Sequence, residues 1–398
     1  MTVVQLLNRF PVRSQQFIYN EIDELRARGL TVRVLTRKLT GSPVDGVRPL
    51  YVPARSAWRR VAGLAVDLTV LALRAPGPLV RMLRSLAAAP ADSRADVVHA
   101  GRIFRSVAGG ADLLHCQFAT LAGEALWYRE RGFFDCPVIV SLRGYDLTRR
   151  SAAGGVDWAD LSTGVQRFLP VCRAFARDLA DRGIPEERVS VHVTPLRVSS
   201  FACDRDRAAS GGPVTLLSVG RLVEKKGFEY TIDAMRILRE RGIEVTLTIV
   251  GDGPRLEALS SQISSAGLEA SISVVPSLPH GELIERYHAH DLFVLHCVTA
   301  ADGDREGIPN VLKEAMAASV PVVSTYHSGI PELVEHGVNG LLVAERDTTA
   351  FADAIASLVE DRDLRQRLAR AGLERVREEY DIGPVSEQLI SIYREIAG

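Results

Sequence analysis

The chain has 398 residues, of which 46% are hydrophobic and 24% charged, and its formal net charge is −1. At ~100–200 residues per domain, two domains are expected. The apolar content excludes a disordered chain, and the balanced charge gives no footprint for a nucleic acid partner. Only Lys38, Lys225, Lys226 and Lys313 are lysines in a total of 48 Lys and Arg, a bias that genome base composition accounts for. Cys116, Cys136, Cys172, Cys203 and Cys297 are odd in number, dispersed and never paired as C-x-x-C. Neither a disulfide framework nor a zinc site is expected, and a reducing compartment fits.

The opening Met-Thr-Val-Val-Gln-Leu-Leu-Asn-Arg lacks the basic start and long apolar core of a signal peptide. Val61 to Leu73 is interrupted by Asp67 and bounded by Arg60 and Arg74. It falls short of the ~18 apolar residues that a membrane span needs, so a cytoplasmic location is expected.

In chain order, Val3–Leu7 reads as a strand, and Ser14 as the cap of a helix carrying Phe17, Ile18, Ile22 and Leu25 and closed by Gly29. Thr31–Thr36, Leu113–Gln117, Val138–Leu142 and Phe168–Cys172 read as further strands with helices between them. The breaker-rich stretch Pro195–Pro213 reads as a linker. The rhythm then restarts with strands at Val214–Val219, Val245–Val250, Ile272–Val275, Leu292–His296 and Val320–Ser324. Helices are expected over Gly227–Arg241 and Pro254–Ala266, up to His290, and from about Ile308. Alternating strands and helices predict an α/β chain of two doubly wound parallel sheets. Ligands in such sheets sit beyond the carboxyl ends of the strands.

Two loops after strands carry chemistry. Gly220-Arg221-Leu222-Val223-Glu224-Lys225-Lys226-Gly227 presents Arg221 and Lys226 at a helix mouth. A guanidinium and an ammonium suit a diphosphate, although a solvated charged turn would look the same. In Glu306-Gly307-Ile308-Pro309-Asn310, Pro309 is preorganised for a first helical turn and Gly307 lets a ligand approach the backbone. Glu314 follows eight residues after Glu306, a separation that suits two hydroxyl-bearing parts of one extended ligand.

Together, Arg221-x4-Lys226-Gly227 and Glu306-Gly307-x-Pro309-x4-Glu314-Ala315 resemble the donor half of retaining GT-B glycosyltransferases of family 4. Val250-Gly251-Asp252-Gly253-Pro254, Gly329-Ile330-Pro331-Glu332-Leu333-Val334 and Asn339-Gly340-Leu341-Leu342-Val343 are similar to the same pattern. Phe10-Pro11-Val12-Arg13-Ser14-Gln15-Gln16-Phe17-Ile18 resembles the colanic-acid-type exopolysaccharide subgroup.

The resemblance implies two Rossmann-like domains facing across a cleft: residues 1–195 with a C-terminal helix, 382–398, crossing back, and a donor domain, 212–381. It implies transfer of a hexose-type sugar, with retention, from a nucleotide diphosphate (UDP favoured, GDP possible) to an acceptor hydroxyl. The acceptor would be a glycan, a lipid-linked intermediate or a small aglycone. Arg221 and Lys226 would hold the diphosphate, Glu306 the transferred sugar, and Glu314 the ribose. Gly220, Gly251, Gly307, Ile308, Pro309 and Asn310 would line the donor, and Pro276-Ser277-Leu278 would meet the base. Ser14, His115, Gln117, Arg143 and Asp146 are candidates for the acceptor side.

The family's first-loop glycine pair is replaced here by Asn8-Arg9-Phe10-Pro11, and the sites where the family often has histidine align with Gln117 and Arg143. His115, two residues before Gln117, is open to a second reading as a packed interior histidine. No cofactor or metal is expected. Asp302-Gly303-Asp304 matches the metal-holding D-x-D of another glycosyltransferase fold, but the two cations already serve the diphosphate. Gly251-Asp252-Gly253 lacks the third glycine of a dinucleotide fingerprint, since position 256 is Leu. Residues 55–94, with seven Arg against Asp67 and Asp92, read as basic amphipathic helices suited to peripheral membrane contact, to a lid or to plain packing. A catalytically divergent sugar-nucleotide binding protein, or an epimerase or phosphorylase on the same scaffold, stays open as an alternative.

Overall fold

The computed structural model describes residues 1–10, 16–40, 47–50, 57–74, 76–86, 91–144, 147, 156–202 and 213–398. The chain divides into two compact units: residues 1–170, 178–192 and 386–398 form the first, and 171–177 and 193–385 the second.

The first unit holds the strands β1 (Thr2–Phe10), β2 (Thr31–Leu39), β3 (Val47–Pro49), β4 (Leu113–Cys116), β5 (Val138–Leu142) and β6 (Arg167–Pro170). The second holds β7 (Val214–Val219), β8 (Val245–Val250), β9 (Ile272–Val275), β10 (Leu292–Val294), β11 (Val322–Thr325) and β12 (Leu341–Val343). The sheet orders are β3-β2-β1-β4-β5-β6 and β12-β11-β10-β7-β8-β9, and every pairing is parallel. Both are therefore doubly wound, with the winding reversing between β1 and β4 and again between β7 and β10. Helices cover both faces of such a sheet, so its inner strands are shielded along their length: β4, β5 and β11 are buried at every residue.

β3 and β12, three residues each, are too short to carry a period that sequence reading can detect. β1 extends to Phe10, beyond the expected Leu7, and the helix expected from Ile308 begins at Asn310. In the linker stretch, Leu196 forms a parallel bridge with Asp381, and its N–H donates to Tyr380 O at 2.9 Å. The final helix, Ile382–Ala397, starts in the second unit and ends in the first. There Leu389, Ile390, Ile392 and Tyr393 join Val3, Leu7, Ile18, Ile22 and Leu25 in one buried cluster, as expected for a helix that crosses back.

Candidate active site

The reversal between β7 and β10 makes the loops after these two strands neighbours in the second unit. Residues 220–227 follow β7 and residues 295–309 follow β10. The Val298 N–H donates to Lys225 O at 3.0 Å, and the Ala301 N–H to Glu224 Oε1 at 3.0 Å. Glu224–Lys226 form a single 3-10 turn, after which Gly227 (φ 59°) turns the chain into the helix Phe228–Glu240. Only glycine fits here: a Cβ on Gly227 would lie 1.8 Å from His296 O.

These contacts bring two of the predicted donor residues, Lys226 and Glu306, together. Glu306 Oε1 lies 3.4 Å from Lys226 Nζ and 3.3 Å from Lys225 Nζ. Burial alone would raise the Glu306 carboxyl, but Lys226 and Lys225 outweigh it and hold its pKa down to about 2. Glu306 is therefore a fixed anion acceptor at neutral pH. Arg221 is exposed, and its guanidinium has no ion-pair or hydrogen-bond partner among the described residues. Lys226 is buried under Gly220, where a Cβ would meet Lys226 Cδ at 3.3 Å.

Asp304 is engaged by the neighbouring loop and Asp302 within its own. Asp304 Oδ1 accepts from Lys225 Nζ at 3.0 Å, and Asp302 Oδ1 accepts from the Asp304 N–H at 3.0 Å.

The Gly-Asp-Gly turn after β8 packs backbone to backbone against the Arg221 loop. Leu222 N–H donates to Asp252 O at 2.9 Å, and Cβ atoms on Gly251 or Gly253 would lie 1.9 Å from Gly220 O and 2.4 Å from Leu222 O. Close approach of two loops thus accounts for these glycines. Asp252 Oδ2 accepts from the Ser277 N–H at 3.0 Å, which pins the turn Pro276-Ser277-Leu278, exposed at Pro276 and Ser277 and half-buried at Leu278. Hydrogen bonds from Ser277, side chain first and then backbone, hold the Asp252 carboxyl below its usual range.

Gly307 sits flush under Val171 and Phe175, whose atoms would lie 2.9 and 3.0 Å from a Cβ. Pro309 caps the helix Asn310–Ala317 in extended conformation, with Ile308 buried and Asn310 half-buried. On that helix Glu314 Oε2 accepts from the Tyr287 hydroxyl at 2.8 Å, and burial raises the Glu314 carboxyl.

Sequence reasoning did not single out His327. The Glu306 N–H donates to its Nε2 at 3.1 Å, and its Nδ1 meets Glu345 Oε1 at 2.6 Å. A ring that accepts on one nitrogen and donates on the other is neutral. The sequence signal was a lone histidine just past β11, in Tyr326-His327-Ser328, ahead of the Gly-Ile-Pro-Glu run. In that run, Glu332 accepts from the Arg173 and Ala174 N–H groups at 2.8 and 2.9 Å and caps the helix Arg173–Ala180.

In the first unit, Gln117 follows β4 and Arg143 follows β5, at the carboxyl ends of neighbouring strands. Arg143 Nη2 donates to Gln117 Oε1 at 2.5 Å, and Gln117 Nε2 donates to Gln5 and to Glu21. Glu21 is fully buried against His192 at 3.1 Å. Burial would raise its carboxyl, but the hydrogen bond and charge of His192, with Arg143 behind, bring it down to about 2. His115 lies inside this network with Nδ1 2.7 Å from the Tyr393 hydroxyl and Nε2 2.8 Å from Ser141 Oγ, and burial drives its pKa to about 3. This is the packed reading of His115: with both nitrogens occupied in the interior, the ring presents nothing to an acceptor. Glu21 and His192 are the members that sequence reading missed. Ser14 and Asp146 lie outside the described residues.

Family models match both halves of the chain: Glycosyltransferase Family 4 over residues 14–194, and Glycosyl transferases group 1 over residues 203–375. A protein of Escherichia coli (strain K12) assigned by name to colanic acid biosynthesis, the glycosyltransferase WcaL, is 30% identical over 413 aligned residues that span all of both chains. The chain is a group 1, family 4 glycosyltransferase. The amylovoran biosynthesis glycosyltransferase AmsK of Erwinia amylovora is 33% identical to this glycosyltransferase over 72% of its length and 71% of AmsK. Among solved structures, HepE of Anabaena in complex with UDP is similar with a TM-score of 0.71 at 16% identity, covering 99% of this chain and 100% of HepE. Sucrose-phosphate synthase of Thermosynechococcus elongatus gives a TM-score of 0.72 at 17% identity, covering 99% of each chain. At such identities these structures speak for the fold alone, which is GT-B.

Proposed function

We propose that this glycosyltransferase moves a hexose-type sugar from a nucleotide diphosphate to an acceptor hydroxyl, with retention, during assembly of an exopolysaccharide. The observation that carries the reading is the meeting of Lys226 and Glu306 at the winding reversal of the second sheet, in a loop that also presents the exposed Arg221. There the bond from the sugar's anomeric carbon to the diphosphate oxygen breaks, and negative charge grows on the leaving group. Arg221 and Lys226 are preorganised to receive it. Glu306 accepts from sugar hydroxyls, and Glu314 from the ribose. The acceptor oxygen bonds to the anomeric carbon on the face that the diphosphate leaves, and its proton passes to the departing phosphate. No protein nucleophile is needed, and no metal, because the two cations carry the charge that a divalent ion would balance.

The names of WcaL and AmsK support an exopolysaccharide product. UDP bound in HepE supports a uridine donor. A GDP-mannose-dependent mannosyltransferase of Mycobacterium tuberculosis, 33% identical over 48% of this chain, keeps guanosine open. A lipid-linked acceptor fits the helices Ala57–Arg74 and Pro76–Leu86, which expose Val66, Leu73, Val80 and Leu83 beside Arg74 and Arg81. No helix among the described residues is long and apolar enough to cross a membrane.

The test is product analysis with UDP-, GDP-, ADP- and dTDP-sugars, each with and without a polyprenyl-diphosphate sugar acceptor. Transfer to the acceptor supports the reading. Donor binding without either hydrolysis or transfer identifies a divergent binding protein instead.

A further inference from the structure

Lys225 is a residue to which neither the resemblance nor the proposed mechanism gives a task. It occupies the middle of the 3-10 turn Glu224–Lys226, one position before the lysine assigned to the diphosphate. Its side chain is only 12% exposed, and its Nζ makes three contacts: Asp304 Oδ1 at 3.0 Å, Glu306 Oε1 at 3.3 Å and Arg305 O at 3.3 Å. Its own carbonyl receives the Val298 N–H. Lys225 thus ties both ends of the stretch 298–306 to the turn that carries Lys226.

We infer that Lys225 is a positioning residue that sets the Glu306 carboxylate for the donor's sugar, and that it has no share in holding the nucleotide diphosphate. The inference rests on the reading of Glu306 as the sugar-binding carboxylate. An isolated Lys226–Glu306 pair would turn the diphosphate ammonium toward the carboxylate. Lys225 meets the Glu306 and Asp304 carboxylates at once. Burial would lower its own pKa, but Glu306 and Asp304 outweigh that and raise it, so the ammonium is charged throughout the working range. The pairing also gives Asp304 a structural role within the D-x-D.

The experiment compares dissociation constants for UDP and UDP-glucose, and for GDP and GDP-mannose, by calorimetry on the full chain. The pair that the wild type binds is then followed through the variants. In Lys225→Met the ratio of nucleotide-sugar to free-nucleotide constants should rise at least about tenfold, the scale of losing a charged hydrogen bond, while the free nucleotide binds within about threefold of wild type. Lys225→Arg should restore most of the ratio, and Lys226→Ala should weaken both ligands together. The ratio is independent of the folded fraction, so a destabilised Lys225→Met still reports. If it reports poorly, Asp304→Asn should move the ratio in the same direction by less. An unchanged ratio, or equal loss on both ligands, overturns the inference. Wild-type protein that binds neither pair overturns the functional reading beneath it.

Discussion

Glu306 and His327 are joined by a hydrogen bond in which the Glu306 backbone N–H donates to Nε2 of the ring at 3.1 Å. The backbone of the residue assigned to the sugar is therefore anchored by an imidazole that accepts only while Nε2 is unprotonated. Burial lowers the His327 pKa, against the pull of Glu345, and keeps the ring in that state.

Acid should destabilise the protein in a defined window. His296 and His115 have pKa values pushed by burial from 6.5 to about 4 and about 3, and His327 is also lowered. A base whose folded pKa is depressed lends stability that is complete above its unfolded value and is lost as pH falls below it. Chemical denaturation midpoints should be level above pH 6.5 and fall steadily toward pH 4. Glu314, raised by burial, opposes the trend. His327→Gln should flatten the slope. Midpoints unchanged between neutral pH and pH 4 would contradict this account.

Arg221→Ala and Lys226→Ala should each lower kcat by ~10²–10³, or roughly 3–4 kcal/mol, with smaller effects on KM. The double variant should lose less than the product of the two, since both cations act on one group. The variants should differ in stability. Arg221 is exposed and without an ion-pair partner among the described residues, so its removal should leave the melting temperature in place. Lys226 is buried against Glu306, so its removal should lower it. Activity should survive EDTA. Near-normal turnover in both variants, or strict dependence on Mn²⁺, would return the diphosphate to Asp302-Gly303-Asp304.

Gly251→Ala and Gly253→Ala should each cost about 1–3 kcal/mol, the range of overpacking, because the new methyl meets backbone atoms that no side-chain motion can clear. Gly281→Ala is the contrast. It lies in the helix His280–Ala289 with nothing within 4 Å of a Cβ, and should stabilise by about 0.5–1 kcal/mol. Urea denaturation of the three variants would show the opposite signs, and equal effects would disprove the loop-packing explanation.

If the acceptor is lipid-linked, the protein should float with anionic vesicles at low salt and release as salt is raised. Leu73→Ser with Val80→Ser should weaken flotation while nucleotide binding stays intact. Wild-type protein that ignores anionic vesicles at low salt would remove the membrane contact.

The donor half was legible because its residues are local in sequence. Arg221 to Lys226 and Glu306 to Glu314 each fit within ten residues, and their spacing carries the chemistry. What escaped was long-range. Glu21 sits on the apolar face of the first helix beside Ile18, Ile22 and Leu25, a carboxylate where the period asks for a hydrophobe, but its partners are Gln117 and His192. Such pairings across 96 and 171 positions leave no spacing to read. Sequence reading gave Lys225 no task, because its partners Asp304 and Glu306 lie about 80 positions away, where spacing carries no signal.

The hydrogen bond between His115 Nδ1 and the Tyr393 hydroxyl spans 278 positions. It has a consequence for biosynthesis. At ~5–20 residues per second, a ribosome that has made His115 needs about 15–55 s more to supply its partner. Until then the sheet begun by the first strand lacks its last helix, with Gln5 and His115 still without the Tyr393 hydroxyl that both meet. The unit translated first is the one completed last, and a nascent chain stalled before residue 386 would carry that opening into the cell.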